Sequence, residues 1–300
     1  MTDIRKMLLS AIVALAALFV WQWWQSVRRS RAEAVGGTPE RLWPTPLQML
    51  IGFVVSFFDT LGIGSLVTTT TIFRATRMVP DERLPGTMIV GLTLGVVVQA
   101  LIFIAKIDID ATLLLLMIAS ALAGGWLGAG VVSRLPRRPI QVGMGVALLL
   151  AALFMAVAQL NRMPVGGTAL TLQGGALWLA VGINFVLGAL LMLGVGNYGP
   201  TFVLLSALGM DPRAAFPIMM GSGAFAALIG CLAFVKRRNQ VNQPALGLAI
   251  GSIPGVLVAA LLVTALPIGM LRWLVIVVVL YAAVTMLRSG RHDESRTVAP

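Results

Sequence analysis

Two long apolar stretches are each interrupted by a pair of closely spaced glycines. The polar residues beside these pairs are the best candidates for chemistry. The stretches are 47–73, interrupted at Gly62 and Gly64, and 176–206, interrupted at Gly194 and Gly196. Such glycines weaken a helix and permit backbone conformations that other residues avoid. Hydroxyl and amide side chains follow each pair: Ser65, Thr68 and Thr69 after the first, and Asn197, Tyr198 and Thr201 after the second. Together with N–H groups at a helix N-terminus, they can bind an oxyanion.

Asp59 is an acidic residue well inside an apolar stretch, shortly before Gly62. A charged residue at the centre of a bilayer costs about 2.5–3.5 kcal/mol on insertion scales, so it usually serves a pathway, a proton relay or a structural partner. Asp59 could carry a coupling proton, or it could cap the N-terminus of the helix after the break. Direct contact with a bound anion is disfavoured because the two negative charges would repel. Both roles stay open at this stage.

Few residues in this sequence could bind a metal ion or act as a nucleophile. The single cysteine, Cys231, lies in an apolar run, and the single histidine, His292, lies in the polar tail. A metal site built from His and Cys needs several such ligands. We therefore expect no metal, no cofactor and no enzymatic activity.

Composition requires a lipid environment. Of the 300 residues, 58% are hydrophobic and 11% are charged, about half the charged share of a soluble domain. Stretches long enough to span a bilayer, about 20 apolar residues each, follow one another. The net charge of +11 comes from short clusters between these stretches, as in cytoplasmic loops, and not from a nucleic-acid-binding surface. We predict an all-α polytopic protein of the bacterial inner or plasma membrane.

The two broken stretches belong to copies of one unit. At a constant offset (194 − 62 = 132), which we call the repeat shift, Gly62, Pro80, Pro85 and Gly91 fall on identical residues of the second copy. Each copy has one broken stretch followed by three spans. We predict an N-terminal transmembrane helix and cytoplasmic linker (1–46), a first repeat (47–160), an external linker (161–175), a second repeat (176–287) and a cytoplasmic tail (288–300).

Basic clusters at 134–138 and 236–238 set the orientation of the spans. If each broken stretch crossed the membrane once, these two clusters would lie on opposite sides, against the tendency of Lys and Arg to stay inside. If each stretch goes in and comes back, both clusters and the C-terminus are cytoplasmic. We infer two hairpins of half-helices that enter from opposite faces, so the second repeat is inverted. Inverted repeats with broken helices are typical of secondary transporters, whose substrate binds near the midplane.

The sequence around the breaks resembles the sulfite exporter TauE/SafE family. The resemblance is carried by Leu61-Gly62-Ile63-Gly64, by Leu193-Gly194-Val195-Gly196-Asn197-Tyr198-Gly199-Pro200, and by the turn Gly209-Met210-Asp211-Pro212. It covers residues 45–288, so the N-terminal helix is an addition to it. The resemblance implies transport of small anions, often sulfur-containing ones such as sulfite, sulfonates, sulfoacetate or thiosulfate. Ser65 and Asn197 stand where the family motifs commonly continue with glycine.

These features together predict a permease that moves a small anion by alternating access around one site between the two breaks. Sulfite, a sulfonate or sulfoacetate is the substrate that the resemblance implies. Lipid is the second partner, a coupling proton stays open, and the sequence is compatible with a homo-oligomer. Two alternatives are a non-transporting membrane subunit and a membrane-embedded enzyme. The enzyme would need converging acids, histidines or a nucleophile within the spans, where Asp59 alone is a poor set.

Overall fold

The computed structural model describes residues 3–33, 42–62, 64–132, 137–160, 167–191 and 198–297. Within these ranges the chain forms eleven α-helices and two short 3-10 turns, Asp81–Arg83 and Pro212–Ala214, without a named β-strand. The helices are α1 (Asp3–Glu33), α2 (Pro46–Thr60), α3 (Leu66–Thr76), α4 (Leu84–Lys106), α5 (Ala111–Val132), α6 (Arg137–Leu160), α7 (Gly174–Leu191), α8 (Tyr198–Ala207), α9 (Ala215–Arg237), α10 (Asn242–Ala265) and α11 (Ile268–Thr297).

The lengths and compositions of these helices are those of a polytopic membrane protein. Four helical segments in the described part of the chain are long and apolar enough to cross a membrane: Asp3–Ser30, Asp81–Lys106, Pro212–Arg237 and Asn242–Ala265. Shorter apolar helices accompany them. Large apolar side chains also face outward, among them Trp126 (82% exposed) and Trp178 (66% exposed), as lipid and not water would favour. The prediction of an all-α polytopic membrane protein is confirmed.

The chain forms two compact units, and each takes helices from both sequence repeats. The first unit comprises Met1–Lys106 and Gly223–Thr264, and the second comprises Ile107–Ser222 and Ala265–Pro300. In the first unit, α10 of the second repeat packs against α2 of the first. In the second unit, α5 of the first repeat packs against α7 of the second. The two compact units differ from the two repeats predicted from the sequence, and the repeat boundaries stay a prediction.

A matching pair of close contacts holds the exchanged helices in place. In the first unit, a Cβ added to Gly255 of α10 would overlap the carbonyl oxygen of Phe53 on α2. In the second unit, a Cβ added to Gly124 of α5 would overlap the carbonyl oxygen of Phe185 on α7. Phe185 follows Phe53 by the repeat shift (185 − 53 = 132), and Gly255 follows Gly124 by nearly the same offset (255 − 124 = 131). Small residues let helix backbones approach closely in membranes, so the repeats use the same contact twice.

The first broken stretch turns back on itself within the first unit. α2 begins beside the start of α10, because Gln48 lies against Gly247. Phe73, near the end of α3, belongs to one buried cluster with Leu84 at the start of α4. Val241, directly before α10, packs against the same cluster. The start of α2 and the end of α3 therefore lie at the same end of this unit.

The second broken stretch turns back in the same way within the second unit. Ala169, which precedes α7, forms an isolated parallel β-bridge with Met210, which follows α8. The N–H of Asp211 donates to the carbonyl oxygen of Ala169 over 2.9 Å. The start of α7 and the end of α8 therefore lie together. Both predicted hairpins of half-helices are confirmed, each within its own unit.

α1 runs antiparallel to α4, and hydrogen bonds at two places along α1 hold it against its neighbours. Near its start, Nε of the buried Arg5 donates to the carbonyl oxygen of Ile104 over 3.2 Å. Near its end, Nε1 of Trp23 donates to Oδ1 of Asn242 over 3.1 Å. Ile104 lies at the end of α4, whereas Asn242 begins α10 beside the start of α4. The beginning of α1 and the starts of α4 and α10 are thus at opposite ends of the first unit.

Candidate functional site

The first break is a turn of two glycines between α2 and α3. Gly62 has φ +97° and Gly64 has φ +82°, values in the left-handed region that glycine adopts without a steric penalty. A Cβ at Gly64 would meet no atom within 4 Å, so backbone conformation and not space requires glycine there. The N–H of Gly62 donates to the carbonyl oxygen of Asp59 over 2.8 Å, which closes the end of α2.

The Asp59 carboxyl group is buried, with 4% of the residue exposed. Ser65, the residue directly before α3, lies near this carboxyl group. Nε2 of Gln99 on α4 donates to Asp59 Oδ2 over 3.1 Å. Within the described residues, the ion pairs found do not involve Asp59. Capping of α3 by Asp59 and proton coupling through Asp59 therefore both stay predictions.

Gln99 contacts the residues directly before the first break, and the sequence did not predict this contact. The Thr60 hydroxyl donates to the carbonyl oxygen of Ser56 over 2.7 Å. Thr60 Oγ1 therefore accepts from Gln99 Nε2, at 2.8 Å. The amide nitrogen donates to two partners, Asp59 and Thr60, and this fixes the orientation of the amide. In the sequence, Gln99 stands out only as an amide inside an apolar span, 40 residues from Asp59, the acid that it contacts.

Two of the hydroxyls that follow the first break donate to the carbonyl oxygen of the residue four positions back. Thr69 is fully buried, and its Oγ1 donates to the carbonyl oxygen of Ser65 over 2.8 Å. Thr70 Oγ1 donates to the carbonyl oxygen of Leu66 over 2.7 Å. Thr68 is half-buried. Of the site residues predicted here, Ser65 lies near the Asp59 carboxyl group, and Thr69 donates within its own helix.

The second break is described from Tyr198 onward. Gly194, Gly196 and Asn197, three of the predicted site residues, lie outside the described residues. Tyr198 begins α8 and is half-buried. Thr201, in the first turn of α8, is 1% exposed, and its Oγ1 has no hydrogen-bond partner in the described part of the chain. The equivalent Thr69 donates to the residue four positions before it, Ser65, whereas the residue four positions before Thr201 is Asn197, which lies outside the described residues.

The two second half-helices end alike. Arg77 follows α3 with φ +50°, and Gly209, its counterpart by the repeat shift, follows α8 with φ +79°. In both, the next N–H donates to the carbonyl oxygen five residues back, over 3.3 Å from Met78 and 3.0 Å from Met210. This is the Schellman pattern that ends a helix. The sequence repeat is therefore also a repeat of local structure, and the two half-helices can be compared position by position.

The residues that the structure describes contain no group of three or more His, Cys, Asp or Glu side chains that could hold a metal ion. The donors at the breaks are hydroxyls, amides and backbone N–H groups, which suit an anion and not a transition metal.

The described residues define a polytopic all-α membrane protein in which α2–α3 and α7–α8 each turn back. The chain belongs to the sulfite exporter TauE/SafE family, whose model matches residues 2–155 and 177–300. No curated protein and no solved structure matches it. The match confirms the resemblance seen around the breaks and reaches beyond it, to α1 and to the C-terminal tail.

Proposed function

We propose that this chain is a secondary transporter that moves a small sulfur-containing anion, such as sulfite, a sulfonate or sulfoacetate, by alternating access. Membership in the sulfite exporter family supports the class of anion. The observation that carries the proposal is the pair of re-entrant hairpins, one in each unit. Interrupted backbone within a bilayer persists only where it is buried in protein or lines a water-filled cavity, which is where transported substrates bind.

An anion suits the groups at the breaks. Each break is followed by the N-terminus of a half-helix, α3 or α8, and helix N-termini favour negative charge. Hydroxyl donors accompany both. The involvement of Gly194, Gly196 and Asn197, and the formation of one site by both breaks, remain predictions from the sequence. We further propose that the host membrane is the cell membrane and that the tail, 288–300, is cytoplasmic.

Flux measurements in proteoliposomes test this function. The purified chain would be reconstituted and loaded with labelled sulfite, sulfoacetate, a simple sulfonate or thiosulfate, with and without a proton gradient. We expect counterflow of at least one of these anions above the level in protein-free liposomes. Correctly inserted protein that moves none of them would contradict the proposal and favour a non-transporting subunit of a larger membrane complex.

A further inference from the structure

α1 packs against the rest of the first unit through one side. Of its most apolar stretch, within Asp3–Ser30, 22% is buried, against 56–61% for the other three helices long enough to span a membrane. The packed side carries Ile12 and Phe19, both fully buried, and Trp23, which is 8% exposed. The opposite side, which includes Val20 (44% exposed), is open in the part of the chain that the structure describes.

The open side of α1 carries a shallow apolar groove of about 570 Å³. Two small residues lie between larger ones in its lining, which consists of Val13, Ala16, Ala17, Val20, Trp21 and Trp24. The groove follows the helix for eleven residues (24 − 13 = 11), about 16 Å at 1.5 Å per residue. The hydrocarbon core of a bilayer is about 30 Å thick, so the groove has the length of one leaflet and suits an acyl chain that lies along the helix.

A guanidinium group lies at the C-terminal end of this groove. Cζ of Arg28 is 4.3 Å from the centroid of the Trp24 ring, which is a cation–π contact. Arg28 is exposed, and the ion pairs found among the described residues do not involve it. The residues three and four positions away from it on α1 include no acid, so it has no helical ion-pair partner. The Trp24 ring therefore holds a positive charge beside an apolar groove.

A second copy of α1 fits this groove poorly. Helices that pack closely in membranes place small residues four positions apart on the face that makes contact. The residues four positions after Ala16 and Ala17 are Val20 and Trp21, which would keep two helix backbones apart. Parallel copies would also bring the Arg28 side chains of both chains together, and like charges repel. A thin apolar chain with a negatively charged head meets neither obstacle.

We propose that this groove binds one anionic phospholipid, with an acyl chain along Val13–Trp24 and the phosphate on Arg28. Arg29 is also exposed, and residues 25–39 contain three arginines and one acid. Basic clusters next to a membrane span attract anionic headgroups, so a headgroup with net negative charge is preferred to a zwitterionic one. The site is separate from the breaks and does not depend on the transport function.

Native mass spectrometry of the delipidated full chain in detergent tests the headgroup contact. The probes are phosphatidylglycerol and phosphatidylcholine with the same acyl chains. We expect the tightest site of the wild type to bind phosphatidylglycerol with a Kd about fivefold lower, as one basic contact near the headgroup provides. Arg28→Gln should lose this preference. Arg237→Gln, which changes an exposed arginine at the end of α9, should keep it.

A second pair of variants tests the groove itself. Ala17→Leu fills the groove, whereas Ala14→Leu adds the same volume at an exposed position of α1 outside the lining. Ala17→Leu should weaken the binding of both lipids severalfold, and Ala14→Leu should leave it unchanged. Phosphatidylglycerol should also raise the melting temperature of the wild type more than that of Arg28→Gln, because a ligand of the folded state stabilises it.

Three results would overturn the proposal. They are equal Kd values of the wild type for the two lipids, an unchanged preference in Arg28→Gln, and equal lipid binding by Ala17→Leu and Ala14→Leu. A dimer of the wild type that dissociates in Ala17→Leu, with lipid binding unchanged, would show that a second copy covers the groove. Ala16→Leu would replace Ala17→Leu if that variant fails to insert.

Discussion

Gln99 Nε2 lies 3.1 Å from Asp59 Oδ2, and this hydrogen bond ties the re-entrant hairpin of the first unit to the long helix α4. The same nitrogen lies 2.8 Å from Thr60 Oγ1. One amide thus fixes both the acid before the break and the last residue of α2. Gln99 is fully buried, so its donors cannot be replaced by water without opening the unit.

Replacement of Gln99 by leucine should therefore destabilise the first unit. The variant leaves a buried carboxyl group short of one donor, and the loss of a partner by a buried polar group costs about 1–3 kcal/mol. We expect a lower melting temperature in detergent, followed by tryptophan fluorescence. Val98→Leu, an adjacent half-buried position on the same helix, is the control. Equal melting temperatures for Gln99→Leu and wild type would contradict the role assigned to this amide.

Substitutions at Asp59 should separate capping from proton coupling. Asparagine caps helices about as well as aspartate, whereas replacement of a cap by alanine costs about 0.5–2 kcal/mol. If Asp59 is a cap, Asp59→Asn keeps the pH dependence of flux, and Asp59→Ala melts earlier. Added formate should then restore part of the melting temperature of Asp59→Ala without affecting wild type, because it replaces the missing carboxylate. Loss of pH dependence in Asp59→Asn would instead identify Asp59 as the carrier of a coupling proton.

Leucine at the break glycines should abolish flux while the chain still inserts. Gly62 and Gly64 have positive φ, and a left-handed conformation costs other residues about 1–2 kcal/mol each. Gly62→Leu would therefore displace the turn that carries Ser65, and we expect the same loss for Gly196→Leu. Gly182→Leu is the matched control, since a Cβ at this exposed helical position meets no atom within 4 Å. Normal flux in both break variants would remove the breaks from the transport pathway.

Labelling of single cysteines should report the orientation that the basic clusters predict. Cys231 is buried, and Cys231→Ser would supply the background. Cysteine at the exposed Asp108 should react with an impermeant maleimide in intact cells. Cysteine at the exposed Arg237 should react only after permeabilisation. The opposite pattern would reverse the topology, and labelling of both from outside would contradict a cytoplasmic 236–238 cluster.

The sequence was sufficient to predict the helices and both hairpins. The repeat shift and the basic clusters required that stretches 47–73 and 176–206 turn back, and Phe73 and Ala169 show that they do. Hydrophobic length and charge are properties of each segment alone, so they can be read without knowledge of how the helices pack. The partners of the helices could not be read in this way. A repeat identifies similar segments, but it does not show that α10 packs against α2.

The site could be predicted only by residue type. Thr69 and Thr201 are identical residues at equivalent positions, yet the Thr69 hydroxyl is bonded to its own helix and the Thr201 hydroxyl has no partner among the described residues. Sequence reasoning treated them alike because the donor state of a hydroxyl depends on its rotamer and on the atoms around it. The contact of Asp59 with Gln99 likewise joins residues 40 positions apart. Only the folded α4 brings the amide to the level of the break.

The exchange of helices between the repeats also constrains how the chain is made. Gly52 on α2 packs against Leu248 on α10, although the two are far apart in the chain (248 − 52 = 196). At a synthesis rate of about 5–20 residues per second, the ribosome reaches α10 roughly 10–40 seconds after α2 has emerged. Throughout that interval the first hairpin lacks the neighbour that covers it. Nascent chains that stop before α10 should therefore be substrates for membrane chaperones and quality-control proteases.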